Sequence, residues 1–253
     1  KQEEITDIFE KWCHGDLSSF LLDISVDVLR KKEGDTFLLD LILDKAEQKG
    51  TGRWSTEEAL RLGVPAPSFA NAVFARAFSA EKEARIQHAA AYPDEQSAPK
   101  MLVSEFVDHL DKALLASRIA HFEQGLAILR VANKEYGFNL NFSEILRVWQ
   151  GGCIIRCSLL KNFSGVLNHS SSLYGGLWTE QTLQTTQGSW KNIVSAAVQA
   201  SIPIPALSSA LLHFESMRRE HLPANFIQGL RDRFGSHGYQ RTDKEGNFHT
   251  DWS

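Results

Sequence analysis

The longest periodic segment of the chain constrains its fold most strongly. From about Val103 to Tyr136, apolar side chains recur roughly every 3.6 residues, which is the period of an α-helix. Small residues are interspersed among them and allow neighbouring helices to approach closely. A helix of about 30 residues spans about 50 Å at 1.5 Å per residue. We therefore expect a central helix that packs against others on several sides, with Gly137 as its C-cap.

Further helices are predicted on both sides of this segment. The residues 55–58, S-T-E-E, have the sequence of a capping box and predict the start of a short helix. Residues 68–91 predict a longer one. The other predicted helices cover residues 16–31, 143–150, 154–167, 179–200, 206–219 and 223–234. Strand signals are nearly absent, so the predicted fold class is all-α, with an irregular C-terminal tail.

Composition argues against several classes of protein. The formal net charge of -4 over 253 residues does not favour a nucleic-acid partner bound through bulk electrostatics. No window approaches about 18 uninterrupted apolar residues, so no membrane span is expected. The three cysteines lack metal-ligand spacing, and Cys153 and Cys157, one helical turn apart, are predicted to be buried thiols. A reducing, cytoplasmic compartment fits this cysteine content best.

The peptide 48–54, Q-K-G-T-G-R-W, has the composition of a site for a small anion. Gly50 and Gly52 allow several backbone N–H groups to point into one concavity. Thr51 adds a hydroxyl donor, and Lys49 adds a positive charge suited to phosphate. An ordinary glycine turn with solvated cations explains the same pattern. The residues alone leave both interpretations open.

Three other residues lie where an anion can be held. Arg76 lies within an apolar run, so it must either extend to water or neutralise a partner such as Glu81 or Asp44. Arg231 lies near a predicted helix end and His237 in the loop beyond it, where they either share an anion or are solvated. No metal-ligand, nucleophile–base or dinucleotide-binding motif is present. These residues by themselves therefore name no activity.

A series of short segments runs along nearly the whole chain. They are D-K-A-E-Q-K-G-T-G-R-W at 44–54, A-V-F-A-R at 72–76, W-Q-G-G-C-I-I-R at 149–156, A-S-I-P-I-P at 200–205, L-P-A-N at 222–225, Q-G-L-R-D at 228–232, F-G-S-H at 234–237 and H-T-D-W at 249–252. In this order they resemble the signature of the 6-phosphogluconate dehydrogenase family. A collinear series is far more specific than any single loop motif.

The resemblance implies a homodimeric oxidoreductase of the pentose phosphate pathway. Family members have an N-terminal Rossmann domain for NADP, a large all-α domain and a C-terminal tail. They oxidise 6-phosphogluconate at C3 and decarboxylate the product to ribulose 5-phosphate. By this resemblance, residues 1–236 are the substrate-binding and dimerisation domain, and residues 237–253 begin the tail. The Rossmann domain and the catalytic residues have no counterpart here, so we assign no catalytic or cofactor-binding residue and expect the chain alone to be inactive.

The family pattern also implies a role for individual residues. Lys49 and Thr51 match the lysine and threonine of the K-G-T-G loop, and Arg76 matches the arginine of V-F-A-R. Arg231 and His237 match residues that act on the neighbouring subunit's substrate. The resemblance thus implies that all five bind 6-phosphogluconate.

Two interpretations of the whole chain stay open. The first is the helical part of such an enzyme, which a beginning at Lys1 rather than methionine favours. The second is a stand-alone, non-catalytic helical module that dimerises and binds phosphorylated sugar acids.

Overall fold

Helices make up nearly all of the regular structure in the computed structural model, which describes residues 1–47, 49–93 and 101–252. In chain order they are α1 (Gln2–Trp12), α2 (Phe20–Arg30), α3 (Leu38–Leu41), α4 (Thr51–Arg61), α5 (Pro67–Ala80), α6 (Lys82–Ala91), α7 (Val103–Tyr136), α8 (Phe142–Gln150), α9 (Leu159–Leu167), α10 (Leu177–Gln199), α11 (Pro205–Met217) and α12 (Ala224–Gly235). The short strands β1 (Lys32–Glu33) and β2 (Thr36–Phe37) form an antiparallel hairpin. The prediction of an all-α fold is confirmed.

The central helix α7 has the predicted bounds. Gly137 follows it in the left-handed conformation, with φ 67° and ψ 35°, and its N–H donates to the carbonyl of Asn133. Helix α10 packs along α7 and contributes Trp190, whose indole N–H donates to the carbonyl of Leu207 at 3.1 Å. The residues of α7 without exposed surface are Ala113, Ala116, Ile119, Ala120, Gln124 and Leu126. Because three of them are alanines, the two long helices can approach closely.

A buried glutamine joins α7 to α5. The Gln124 amide oxygen accepts a hydrogen bond from the backbone N–H of Ser68 at 2.9 Å, and its amide nitrogen donates to the Ser68 hydroxyl at 3.0 Å. Ser68 is the second residue of α5, so this contact satisfies an N–H that has no partner within the helix. The start of α5, the helix that carries Arg76, is thereby held against the core.

Two predicted helices begin later than expected. The regions 16–31 and 154–167 become helical at Phe20 and Leu159. The reason is a pairing that local sequence does not reveal: Ser19 and Cys157 form an antiparallel bridge, so neither of these two residues is helical. Cys153 and Cys157 therefore do not lie on one helical turn, and both are partly exposed rather than buried.

Two boundaries near the predicted anion loop also differ from expectation. Helix α4 begins at Thr51, so Ser55 is not its N-cap; the Ser55 hydroxyl instead donates to the Thr51 carbonyl at 2.9 Å. The predicted helix 68–91 is two helices, because Glu81 has ψ 42° and interrupts it. Gln48, the first residue of the peptide 48–54, lies outside the described residues.

The chain forms two compact units, Lys1–His213 and Phe214–Ser253. The first contains α1 to α10 and most of α11, and the second contains the end of α11, α12 and the tail. Within the described ranges, no helix combines the length and the apolar character that crossing a bilayer requires.

One buried carboxylate organises the second unit. Asp232 of α12 has no exposed surface and accepts four hydrogen bonds. They come from the N–H groups of Gly238 (2.9 Å) and Thr250 (3.1 Å), the indole of Trp252 (2.7 Å) and Nδ1 of His249 (2.9 Å). Burial by itself raises the pKa of Asp232, but these hydrogen bonds outweigh it and hold the pKa well below its ordinary value. The irregular tail is thus folded back onto α12.

Candidate anion-binding site

The predicted anion loop leads into the N-terminus of α4. Gly50 is the N-cap, with φ 99°, a conformation that side-chain-bearing L residues rarely adopt. Its carbonyl accepts the N–H of Trp54 at 2.9 Å, which closes the first turn. The N–H groups of Thr51, Gly52 and Arg53 lie before that first hydrogen bond and have no acceptor within the helix. They form the positive end of the helix dipole, where an anion is stabilised.

Helix α5 runs beside this N-terminus. A Cβ atom at Gly52 would lie 3.2 Å from Cγ2 of Val73, so the absence of a side chain allows the close approach. At the other end of the segment, the N–H of Ala46 donates to the hydroxyl of Ser79 at 2.9 Å. Ala46 and Gly52 thus each approach α5, at Ser79 and at Val73. Arg76 lies one helical turn after Val73 on α5.

Thr51 and Arg76 are carried by two helices in contact, α4 and α5, and Lys49 precedes α4 by two residues. Lys49, Thr51 and Arg76 are all exposed. Among the residues that the structure describes, neither Lys49 nor Arg76 has a carboxylate partner, so the expected ion pairs of Arg76 with Glu81 or Asp44 do not form. Two exposed cations and a hydroxyl, together with helical N–H groups that have no acceptor within the helix, can hold a small dianion.

The remaining predicted site residues belong to the second unit. Arg231 is exposed on α12, and its guanidinium donates to the side-chain oxygen of Gln228 at 3.3 Å. His237 follows Ser236, which ends the helix in the left-handed conformation. The exposed His237 ring meets the ring of Phe234 edge-on, with centroids 5.9 Å apart. In the described part of the chain, neither Arg231 nor His237 forms an ion pair.

The ion pairs of the segment before the loop were not predicted from the sequence. Asp44 accepts hydrogen bonds from Lys82 and from Arg85, the latter at 3.0 Å. The hydrogen bonds from these two cations lower the pKa of Asp44 to about 2. The one available signal was the spacing of Lys82 and Arg85, which places them three residues apart on one helical face.

Within the described residues, no group of three or more His, Cys, Asp or Glu side chains is arranged to hold a metal ion. The same residues contain no βαβ unit, because their one hairpin has two residues in each strand. They therefore lack the strand–turn–helix arrangement that usually binds a dinucleotide such as NADP.

Comparison with known proteins assigns a family to this arrangement of helices. The model of the family described as 6-phosphogluconate dehydrogenase, C-terminal domain, matches residues 1–252. A decarboxylating 6-phosphogluconate dehydrogenase of Lactococcus lactis subsp. lactis is 42% identical over 258 residues, covering 98% of this chain and 54% of that protein. An NADP(+)-dependent, decarboxylating relative in Bacillus subtilis is 40% identical over 256 residues, covering 99% and 55%.

A solved structure shows the same fold. The 6-phosphogluconate dehydrogenase of Plasmodium falciparum, described in its apo form and in complexes with NADP+ and with 6-phosphogluconate, superposes with a TM-score of 0.95 at 36% identity. The superposition covers 99% of this chain and 55% of that one. The chain spans about half the length of the curated relatives that it matches.

Proposed function

The chain belongs to the 6-phosphogluconate dehydrogenase C-terminal domain family, and we propose that it is the helical part of a decarboxylating, NADP-dependent 6-phosphogluconate dehydrogenase. In this role it binds the phosphate of 6-phosphogluconate and forms the dimer interface. One observation carries the substrate assignment: Lys49 precedes the N-cap of α4, Arg76 lies on the adjoining helix α5, and neither has a carboxylate partner among the described residues. Relatives named as decarboxylating 6-phosphogluconate dehydrogenases support the choice of sugar acid.

The chemical contribution of this site is anchoring. A phosphate dianion is remote from the carbons that react, so the bonds it makes to Lys49, Thr51 and Arg76 change little during the reaction. Their binding energy positions C3 of the substrate for hydride loss elsewhere. Arg231 and His237, exposed in the second unit, complete the site in the partner subunit under this proposal. NADP accepts the hydride and is held by a Rossmann domain that is not part of this sequence.

A calorimetric titration of the chain tests the substrate assignment. We expect 6-phosphogluconate and inorganic phosphate to bind with dissociation constants of about millimolar, because a few charge-assisted hydrogen bonds at an exposed site give modest affinity. Gluconate, which has the same carbon chain without the phosphate, serves as the matched control and is expected not to bind measurably. Equal binding of gluconate and 6-phosphogluconate, or no binding of either phosphate compound, would refute the assignment.

Dimer formation is the second expectation of the proposal. Large apolar side chains on the described surface support it, including Leu60, Phe74 and Phe78, which are each more than half exposed. Such surfaces are typical of interaction sites. Sedimentation velocity at micromolar concentration is expected to give twice the 28.4 kDa of the chain. A species of 28.4 kDa that persists as the protein is concentrated would show that the interface lies elsewhere.

A further inference from the structure

We propose that Ser79 is a positioning residue for the phosphate loop: its hydroxyl holds the segment before Lys49 against α5, so that Lys49 and Arg76 face the same anion. This role rests on the proposed function, since it requires that the loop binds the substrate's phosphate.

A single hydroxyl connects the two halves of the site. The Ser79 hydroxyl accepts the backbone N–H of Ala46 at 2.9 Å and donates to the carbonyl of Arg76 at 2.7 Å. Ala46 and Ser79 are 33 residues apart in sequence. Ser79 itself lies one helical turn after Arg76, on the same face of α5. Its hydroxyl therefore links the anion loop directly to the turn that carries the arginine.

The start of the segment is held by charge. Asp44 lies between Lys82 and Arg85 at the beginning of α6, and the Arg85 guanidinium also donates to the Ser79 carbonyl at 3.3 Å. The break at Glu81 starts the new helix that carries both cations. These pairs are about half exposed and stabilise the fold little. Their consequence is local: Lys82 and Arg85 form ion pairs with Asp44, while Lys49 and Arg76 have no carboxylate partner among the described residues.

Among the described residues, Ala46 is the last one before Gly50 that forms a hydrogen bond with α5. Three residues separate Ala46 from Gly50, which takes the left-handed conformation and begins the turn into α4. Without this hydrogen bond, the backbone at Ala46 gains conformational freedom that anion binding must then remove. The affinity for phosphate is expected to fall even though Ser79 does not touch the anion.

The test compares phosphate binding in Ser79→Ala, Ser79→Thr, Lys49→Ala and the double variant Lys49→Ala/Ser79→Ala of the chain. Ser79→Ala is expected to weaken the binding of inorganic phosphate by about fivefold, the effect of one net hydrogen bond. Ser79→Thr keeps the hydroxyl and is expected to restore the affinity. Added to Lys49→Ala, the serine change is expected to have no further effect, because no lysine is left to position.

A merely structural serine would behave differently. Ser25, whose hydroxyl donates to the Leu21 carbonyl on α2, provides the matched control, and Ser25→Ala is expected to leave phosphate affinity unchanged. If the chain binds phosphate and Ser79→Ala binds it equally well, the positioning role is wrong while the proposed function stands. The role is also wrong if the loss of phosphate affinity in the double variant equals the product of the losses in Lys49→Ala and Ser79→Ala. If the unaltered chain binds no phosphate, the positioning role and the proposed function fail together.

Discussion

Replacing Arg76 with alanine is expected to lower the affinity of the chain for inorganic phosphate by about 10- to 100-fold. Arg76 is exposed on α5 and has no carboxylate partner among the described residues, so its charge and its donors are available to the anion. A hydrogen bond to a charged group contributes about 1.5–3 kcal/mol, and each 1.4 kcal/mol is about tenfold in affinity. Calorimetry at constant ionic strength measures the change.

The variant Arg61→Ala is a control that removes the same charge from a nearby position. Arg61 lies ten residues after Thr51 on α4, about 15 Å along the axis, and it already pairs with Glu58 at 2.9 Å. That distance exceeds the screening length of about 8 Å at physiological salt, so Arg61→Ala is expected to leave phosphate binding nearly unchanged. Arg76→Lys keeps the charge but loses the planar fork and is expected to bind with intermediate affinity. Equal affinity of Arg76→Ala and the unaltered chain would remove Arg76 from the site.

The fold was predictable where a pattern is long and local. The periodicity of α7 extends over 34 residues and ends at a glycine whose left-handed conformation terminates the helix, so its type and both bounds follow from sequence. Shorter signals were less reliable. Residues 55–58 do have the capping-box sequence, yet α4 starts one turn earlier. It does so because Gly50 can take φ 99° and Gly52 allows contact with Val73.

The interruption between α5 and α6 shows why a periodic pattern can mislead. The apolar period continues through Glu81, but the helix breaks there, and Lys82 and Arg85 of the new helix bind Asp44, about 40 residues earlier in the chain. Such ion pairs depend on the tertiary structure and leave no periodic trace. The same limit applies to Ser79, since its role depends on a partner 33 residues away.

Among the site residues, Lys49 and Thr51 were detectable from composition because glycines, a hydroxyl and a cation occur together. Arg76, Arg231 and His237 are single residues whose part in a site was indicated only by the resemblance to a family. In the segment 228–232, the sequence indicated Arg231 as a site residue but gave no sign that the adjacent Asp232 matters. Asp232 is important because it accepts hydrogen bonds from residues 6 to 20 positions later, which no local pattern shows.

Replacing Asp232 with asparagine is expected to release the tail from α12. Each carboxylate oxygen of Asp232 accepts two hydrogen bonds, Oδ1 from Gly238 and His249 and Oδ2 from Thr250 and Trp252. An asparagine of the same shape keeps one acceptor oxygen and turns its NH2 group toward two donors. Those donors would then be buried without a partner, which is strongly unfavourable.

Acid is expected to have the same effect on the unaltered chain. The pKa of Asp232 is lower in the folded tail than in an unfolded one, so its ionised form stabilises the folded tail. This stabilisation is complete above the ordinary aspartate pKa of about 3.9 and is lost as the pH falls through that value toward the folded pKa. At neutral pH the tail is therefore expected to stay in place.

Hydrogen exchange at Tyr239 and Phe248 measures both effects, because the N–H of each donates to the carbonyl of the other at 2.8 Å. In Asp232→Asn these amides are expected to exchange about tenfold faster or more, while amides in the middle of α7 are unchanged, since local opening need not involve the whole fold. Asp243→Asn removes the same charge from the same tail, but its ion pair with Arg241 is exposed, so exchange is expected to stay slow. If both variants exchange equally, the tail is held by contacts other than the buried carboxylate. A difference confined to Asp232→Asn would instead make this carboxylate the group that orders the segment carrying His237, the residue we propose to act on the partner's substrate.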